Sequence, residues 1–196
     1  MNILTIVFLI TLASLSSIYS QDFWVRTTGL DNLGIVSLGI NSSGDIFAGT
    51  DTNYIFRSTD NGNNWTNLGY KNLKTTGIVI KPNGEILISS LDHNLGGGVF
   101  SSNDNGNNWS PLGYNGASTA IVQNSNGHIF IGTLTRGIFR SLDDGENWSE
   151  INLGLGDLYP RSLAINSNND IFAGTVFGGV FRCIVCEDLG GWCGAF

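Results

Sequence analysis

The sequence predicts an all-β protein made of four repeated units, each a four-stranded antiparallel sheet. Two strings of residues recur along the chain at nearly constant spacing. The first reads NSSGDIFAGT and stands, with variations, at 41–50, 81–90, 124–133 and 166–175. The second is a short apolar run, such as IFRS at 55–58, that follows each copy of the first. Beyond the N-terminal leader no segment keeps helical periodicity over ten or more residues, so no helix is expected there.

The period of these strings fits one blade of a β-propeller, in which sheets stack face to face around an axis. The four copies of the first string begin 40, 43 and 42 residues apart, a length typical of a four-stranded blade. The second and third predicted strands are apolar at successive positions, as expected when both faces of a sheet are covered. We therefore predict a β-propeller of four-stranded antiparallel blades, with units at about 34–70, 77–114, 118–153 and 160–183.

The turn residues of the first unit divide it into strands. Ile35 to Ile40 forms the first strand, and NSSGD forms a turn because Asn, Ser and Gly favour turns. IFAGT is then the second strand, YIFRST the third and NWTNLG the fourth.

A third recurring string, Ser-x-Asp-x-Gly-x-x-Trp, falls between the third and fourth strands of three units. Its Asn-Gly or Asp-Gly pair is a strong hairpin signal. The Ser and Asp side chains can accept hydrogen bonds from nearby backbone N–H groups, and the Trp returns a large apolar surface to the sheet. We therefore assign the motif a structural role at Ser58, Asp60, Gly62 and Trp65, at Ser102, Asp104, Gly106 and Trp109, and at Ser141, Asp143, Gly145 and Trp148.

The motif resembles the Asp-box, or bacterial neuraminidase repeat, and the resemblance covers about residues 23–183. This repeat is shared by sialidases, xyloglucan-active glycosidases, sortilin-type receptors and photosystem II assembly-factor-like propellers. The resemblance implies that the boxes lie on the outer rim of the blades, away from the central ligand face. It indicates the fold rather than one function, because the repeat occurs in enzymes and non-enzymes alike.

The two ends of the repeat array leave alternatives open. The segment FWVRTTGLD at 23–31 resembles the fourth strand that follows each box, whereas the fourth unit has three strands and then CIVCEDLGGWCGAF. The opening strand could complete the last blade and close a ring of four, which would remove exposed sheet edges. The alternative is a truncated or frame-shifted chain. If the ring is open, self-association through the open blade is expected.

The N-terminal leader predicts export. Its first 21 residues carry no charged side chain, and the apolar run from Ile3 to Leu15 has the length of a signal-peptide core rather than a membrane span. We place cleavage after Ser20, with an uncleaved anchor as the alternative. The expected organisation is a signal peptide at 1–20, a propeller at 21–183 and a cysteine-containing tail at 184–196. The expected location is secreted, periplasmic or on the cell surface.

Charge and cysteine usage exclude several classes of partner and cofactor. A net charge of −7 argues against nucleic acid or an anionic membrane as the ligand. Cys183, Cys186 and Cys193 are odd in number, so at least one lacks a partner within the monomer, and His93 and His128 lie far from them in sequence. The box turns also lack the ligand spacing of a calcium loop. No metal or other cofactor is expected.

Residues that suggest sialidase chemistry obey the repeat instead of breaking it. Arg57, Arg140 and Arg182 could form a carboxylate-binding triad, but they occupy the same position in different units. Tyr70 and Tyr114 are likewise in register. A catalytic residue should interrupt a repeat, so we predict no catalytic residue.

Six residues do break the repeat and are our candidates for a ligand face, because loops carry function more often than strands do. They are Asp92, His93, Arg136, Asp157, Tyr159 and Arg161. The sequence thus favours an exported, non-catalytic scaffold that binds a protein or a glycan. The alternative is a glycoside hydrolase, sialidase-like or xyloglucanase-like, or a fragment of one.

Overall fold

The computed structural model describes residues 23–69, 74–91 and 97–183, which contain strands and no helix. The predicted all-β class is confirmed. In these ranges no helix is long and apolar enough to cross a bilayer. The strands are β1 (Ile35–Ile40), β2 (Ile46–Thr50), β3 (Ile55–Ser58), β4 (Thr66–Asn67), β5 (Lys74–Ile80), β6 (Ile86–Leu91), β7 (Gly98–Ser102), β8 (Ser110–Leu112), β9 (Ser118–Gln123), β10 (Ile129–Thr133), β11 (Ile138–Ser141), β12 (Ser149–Glu150), β13 (Pro160–Ile165), β14 (Ile171–Thr175) and β15 (Val180–Cys183).

Each repeat forms one antiparallel sheet whose strands follow chain order, which confirms the predicted propeller blades. Blade 1 is β1–β4, blade 2 is β5–β8, blade 3 is β9–β12, and blade 4 comprises β13–β15 in the described residues. The register shifts at the same place in every blade, near the start of its first strand. The leader at 1–20 and the tail at 184–196 lie outside the described residues.

The core lies between the blades. Between blades 1 and 2, Phe47 and Ile55 meet Ile86 and Ile88, with Trp109 packed against them. A second cluster joins blades 2 and 3, and a smaller one joins blades 3 and 4. Strands β6, β10 and β11 are buried along their whole length, as the continuous apolar runs predict.

The four blades form an open arc. First strands β1, β5, β9 and β13 pack on one another in series, and among the described strands no comparable contact joins β13 back to β1. Residues 23–34 contain no strand, and Thr28 Oγ1 donates a hydrogen bond to Asn63 O, 3.5 Å away, at the box of blade 1. In this structure the N-terminal segment therefore lies beside blade 1 and does not pair with β15.

Alternating strand direction gives the arc two distinct ends. The turns between first and second strands share one end with the turns that contain the Ser-x-Asp-x-Gly-x-x-Trp motif, and we call it the box end. The turns between second and third strands and the connections between blades share the other, the loop end. The four candidate ligand residues that the structure describes, Arg136, Asp157, Tyr159 and Arg161, belong to segments at or beside the loop end, opposite the boxes.

Candidate ligand surface

The Ser-x-Asp-x-Gly-x-x-Trp turn of blade 2, which we call a box, is closed by hydrogen bonds within the motif. Ser102 Oγ donates to Asp104 Oδ1 at 2.9 Å and accepts from Gly106 N at 2.9 Å. Asp104 Oδ1 also accepts from Asn108 N at 2.8 Å. The Trp109 indole N–H donates to Gly106 O at 3.0 Å. The side chains of the motif thus satisfy its own backbone, as the structural assignment requires.

The other boxes repeat this geometry with one exception. Ser58 and Ser141 make the same bonds to Asp60 and Asp143, and Trp148 Nε1 donates to Gly145 O at 2.9 Å. In each box two successive residues adopt positive φ, which explains the Asn-Gly or Asp-Gly pair. The exception is Trp65, whose buried Nε1 has no hydrogen-bond partner among the described residues.

Hydrogen bonding holds the box carboxylates in their charged form. The Asn64 side chain lowers the pKa of Asp60, and the backbone N–H groups of Asn108 and Asn147 lower the pKa values of Asp104 and Asp143. These oxygens are engaged by the turn itself. Within the described ranges no group of three metal-binding side chains comes together.

The three arginines of the sialidase-like pattern serve separate sheets. Each is a cross-strand neighbour of an equivalent phenylalanine in its own blade. Arg57 Nη1 donates to Asn105 O of blade 2 at 2.9 Å, and Arg182 pairs with Asp170 at 2.5 Å. Arg140 is buried. Tyr114 is also buried, which raises its pKa, and its ring packs on Phe139 and Trp148; Tyr70 lies outside the described residues.

Asp157 fastens a turn of blade 4. Its Oδ2 accepts from Phe177 N at 2.6 Å and Gly178 N at 2.9 Å, and its Oδ1 accepts from Tyr159 N at 3.0 Å. Burial acts to raise the pKa of Asp157, but the three backbone N–H groups outweigh it and lower the pKa. The carboxylate therefore positions the loop that carries its neighbours.

Arg136 and Tyr159 lie on adjacent connections. Gly137 N donates to Leu158 O and Val176 N donates to Tyr159 O, both at 3.0 Å, so three segments run side by side at the loop end. The Arg136 guanidinium lies 5.0 Å from the Phe139 ring centroid, and Arg161 is exposed at the start of β13. Asp92 and His93 lie outside the described residues.

Sequence reasoning missed the aromatic partner of Tyr159. The Phe177 ring packs edge-on against Tyr159 at 5.9 Å and is 82% exposed. Its signal was the string VFGG, an apolar pair in a turn where the first unit has DTNY. We call Arg136, Leu158, Tyr159, Val176 and Phe177 the loop-end patch.

A cavity of about 230 Å³ opens between blades 3 and 4. Apolar side chains of both blades line it, including Ile138, Ile151, Leu153 and Phe181. Cys183, also on its wall, is engaged in a disulfide bond, whereas Cys186 and Cys193 lie outside the described residues. The cavity walls supply packing groups and no pair of acidic side chains.

No protein-family model and no curated protein matches this sequence. Solved structures do match its fold. An ancestral GH74 enzyme is 21% identical, over 78% of this chain and 23% of that one, with a TM-score of 0.65. Inactive virginiamycin B lyase from Staphylococcus aureus with quinupristin is 20% identical. The match covers 87% of this chain and 62% of the lyase, with a TM-score of 0.61. YCF48 bound to D1 peptide is 14% identical. The match covers 80% of this chain and 53% of YCF48, with a TM-score of 0.59.

One of these structures is an enzyme, one is an inactive lyase with quinupristin, and one is bound to a peptide. The chain spans about three fifths or less of each of these three proteins. At such identities the likeness concerns architecture alone. This chain has the β-propeller fold.

Proposed function

We propose that this chain is an exported, non-catalytic propeller that binds a protein segment through the loop-end patch. The observation that carries the proposal is the pair Tyr159 and Phe177, two exposed aromatic rings that pack together on two neighbouring loops. Aromatic and arginine side chains are enriched at protein interfaces, and they supply most of the binding energy there.

The patch has the rigidity and the charge that such a role needs. Asp157 holds three backbone N–H groups of the loops that carry the two rings, which reduces the conformational entropy lost on binding. Arg136 and Arg161 add positive charge at this end of a chain whose net charge is −7. An extended peptide with aromatic or aliphatic anchors and acidic flanks fits this chemistry.

The described carboxylates whose pKa is shifted act as hydrogen-bond acceptors and do not fit the proton donor of a glycosidase. A glycosidase needs one carboxylic acid whose pKa is raised, so that it can protonate the leaving group. Among the described residues, the carboxylates with a shifted pKa are all shifted downward: Asp60, Asp104, Asp143, Asp157 and Asp170. These groups accept hydrogen bonds and stay charged.

The leader supports export as part of the proposal. Residues 1–20 have the uncharged, apolar composition and length of a signal peptide, followed by Gln21 and Asp22. The site of action would then be secreted, periplasmic or on the cell surface. Mass spectrometry of the N-terminus of the exported protein checks the cleavage after Ser20.

Selection from a displayed library of random peptides tests the binding role. We expect wild-type protein to enrich peptides with acidic and apolar residues, and Phe177→Ala to weaken the best binder by about tenfold or more. Leu142→Ala is the matched control, because Leu142 is an exposed apolar residue at the box end. Peptides that bind Phe177→Ala as tightly as wild type would contradict the proposal.

A glycan array and a panel of fluorogenic sialosides and β-glucosides complete the test. Glycan binding lost in Phe177→Ala, without any peptide binding, would change the ligand class to carbohydrate. Turnover of a glycoside would replace the scaffold hypothesis with the hydrolase alternative.

A further inference from the structure

Among the described residues, no blade covers the first face of the arc. Gly39 of β1 faces blade 2, where it lies against Ile78 and Ile80, so its neighbours Leu38 and Ile40 point the other way. Both are exposed, Leu38 at 63%. Ile46 and Phe56 extend the same surface by cross-strand pairing. We call this surface, with Trp65, the leading face.

No blade covers the last face of the arc either, within the part of the chain that the structure describes. Leu163 and Ile165 of β13 pack toward blade 3, so Ala164 between them points away. Ala164 pairs with Phe172, which pairs with Arg182, and Val180 of the same sheet is 75% exposed. We call Ala164, Phe172, Val180 and Arg182 the trailing face.

The trailing and leading faces match the two sides of the buried junction between blades 1 and 2. The trailing face repeats, in the same register, the surface that blade 1 turns toward blade 2: Gly39, Phe47, Ile55 and Arg57. The leading face repeats the surface that blade 2 turns back: Ile78, Ile80, Ile86, Phe100 and Trp109. The two ends of the arc therefore form the two halves of one blade junction.

At the centre of this junction two residues face each other, and both differ at the ends of the arc in a way that keeps the fit. A Cβ placed on Gly39 would come within 2.7 Å of Ile78 Cγ2. The β-branched side chain of Ile78 therefore requires a glycine opposite it. The trailing face has Ala164 in place of Gly39, and the leading face has Leu38 in place of Ile78. Leucine has no Cγ2 branch, which leaves room for the alanine methyl group.

Polar groups of the junction also have counterparts at the ends. Asn105 in the box of blade 2 donates from Nδ2 to Asp45 Oδ2 at 2.8 Å, and its carbonyl accepts from Arg57. The leading face presents Asn61, whose φ of 59° matches the 60° of Asn105. On the trailing face Arg182 and Asp170 stand where Arg57 and Asp45 stand in blade 1, and they pair with each other.

The N-terminal segment lies where the outer strand of a preceding blade would be. Leu68, three residues after Trp65, lies against Gly106 of the next box, and Leu112, three after Trp109, lies against Gly145. Thr27 lies against Gly62 in the same way, and the residue three before it is Trp24, which is 93% exposed. Residues 24–27 thus match the outer strand that the described part of blade 4 lacks.

We propose that two copies of this chain associate head to tail, the trailing face of each on the leading face of the other. The N-terminal segment of each copy then pairs with β15 of the other. A second copy is favoured over closure within one chain because β1 and β13 do not pack together in the arc. Two arcs joined at both ends form a closed ring of eight blades, four from each copy, which leaves no blade face open.

A charge-exchange experiment tests the proposal. Leu38→Lys and Ala164→Glu each alter one residue of one uncovered face, so each monomer should keep its fold. Sedimentation of the exported wild-type protein should give twice the monomer mass, and each variant alone should be monomeric, with its dissociation constant raised by about tenfold or more. An equimolar mixture of the two variants should form dimers again.

The mixture separates head-to-tail pairing from other arrangements. One of its junctions joins the introduced lysine to the introduced glutamate, and the other is wild type on both sides. In face-to-face pairing of two leading faces, Ala164→Glu would still dimerise and would not rescue Leu38→Lys, which would overturn the proposal. Wild-type protein that stays monomeric at all concentrations, through self-closure or a tail over the trailing face, would also overturn it. Particles larger than a dimer would overturn it too.

Discussion

Blades 1 and 4 contain the same second-strand sequence, IFAGT, in two different surroundings. Phe47 of blade 1 is fully buried because blade 2 covers it, whereas Phe172 at the equivalent position of blade 4 is only partly buried. Ile55 and Val180 on the neighbouring strand differ more strongly, at 1% and 75% exposure. The local sequence thus specifies the strand and its register, and the next blade determines the burial.

Truncation of the two phenylalanines gives the largest expected effect on this comparison. Phe47→Ala should lower the free energy of unfolding by about 3–5 kcal/mol, because it leaves a cavity between blades 1 and 2. Phe172→Ala should cost about 1–2 kcal/mol in the monomer, because less buried surface is lost. Urea denaturation at a concentration where the protein is monomeric measures both. Equal losses would show that Phe172 is covered within the monomer.

The box tryptophans repeat the comparison at a smaller scale. Trp109 packs on the cluster between blades 1 and 2 and its indole N–H is bonded, so Trp109→Ala should cost about 3 kcal/mol. Trp65 lies on the leading face with its N–H unpaired among the described residues, so Trp65→Ala should cost about 1–2 kcal/mol. Thermal melts of the two variants measure the difference. An unchanged melt for Trp109→Ala would contradict the structural role of the box.

Repeat spacing was sufficient to predict the blades, because period and turn residues are local properties of the sequence. The prediction that Asp157 belongs to a ligand face came from its departure from the repeat. Its three backbone donors come from residues 159, 177 and 178, and such pairing across segments is invisible in sequence. Phe177 was missed because the sequence does not show whether an apolar residue in a turn is buried or exposed.

The pH dependence of stability measures the contribution of the box carboxylates, which is the smallest effect and is spread over three blades. The pKa of Asp104 is lowered in the folded chain by the Asn108 backbone, and hydrogen bonds lower the pKa of the aspartate in each of the other two boxes. A carboxylate whose folded pKa lies below the unfolded value of about 3.9 stabilises the fold above that pH. This stabilisation is lost as the pH falls through the folded pKa. Stability should therefore decline below about pH 4.

Substitution of one box aspartate should make that decline shallower. Asp104→Asn removes one of the three titrating box carboxylates, so the variant should start less stable at about pH 6 and lose less on acidification. Asp51→Asn, an exposed aspartate outside the boxes, is the control. Urea midpoints between about pH 6 and about pH 2.5 compare them across the titration range. An acid profile of Asp104→Asn parallel to that of wild type would show that the box carboxylates do not govern acid stability.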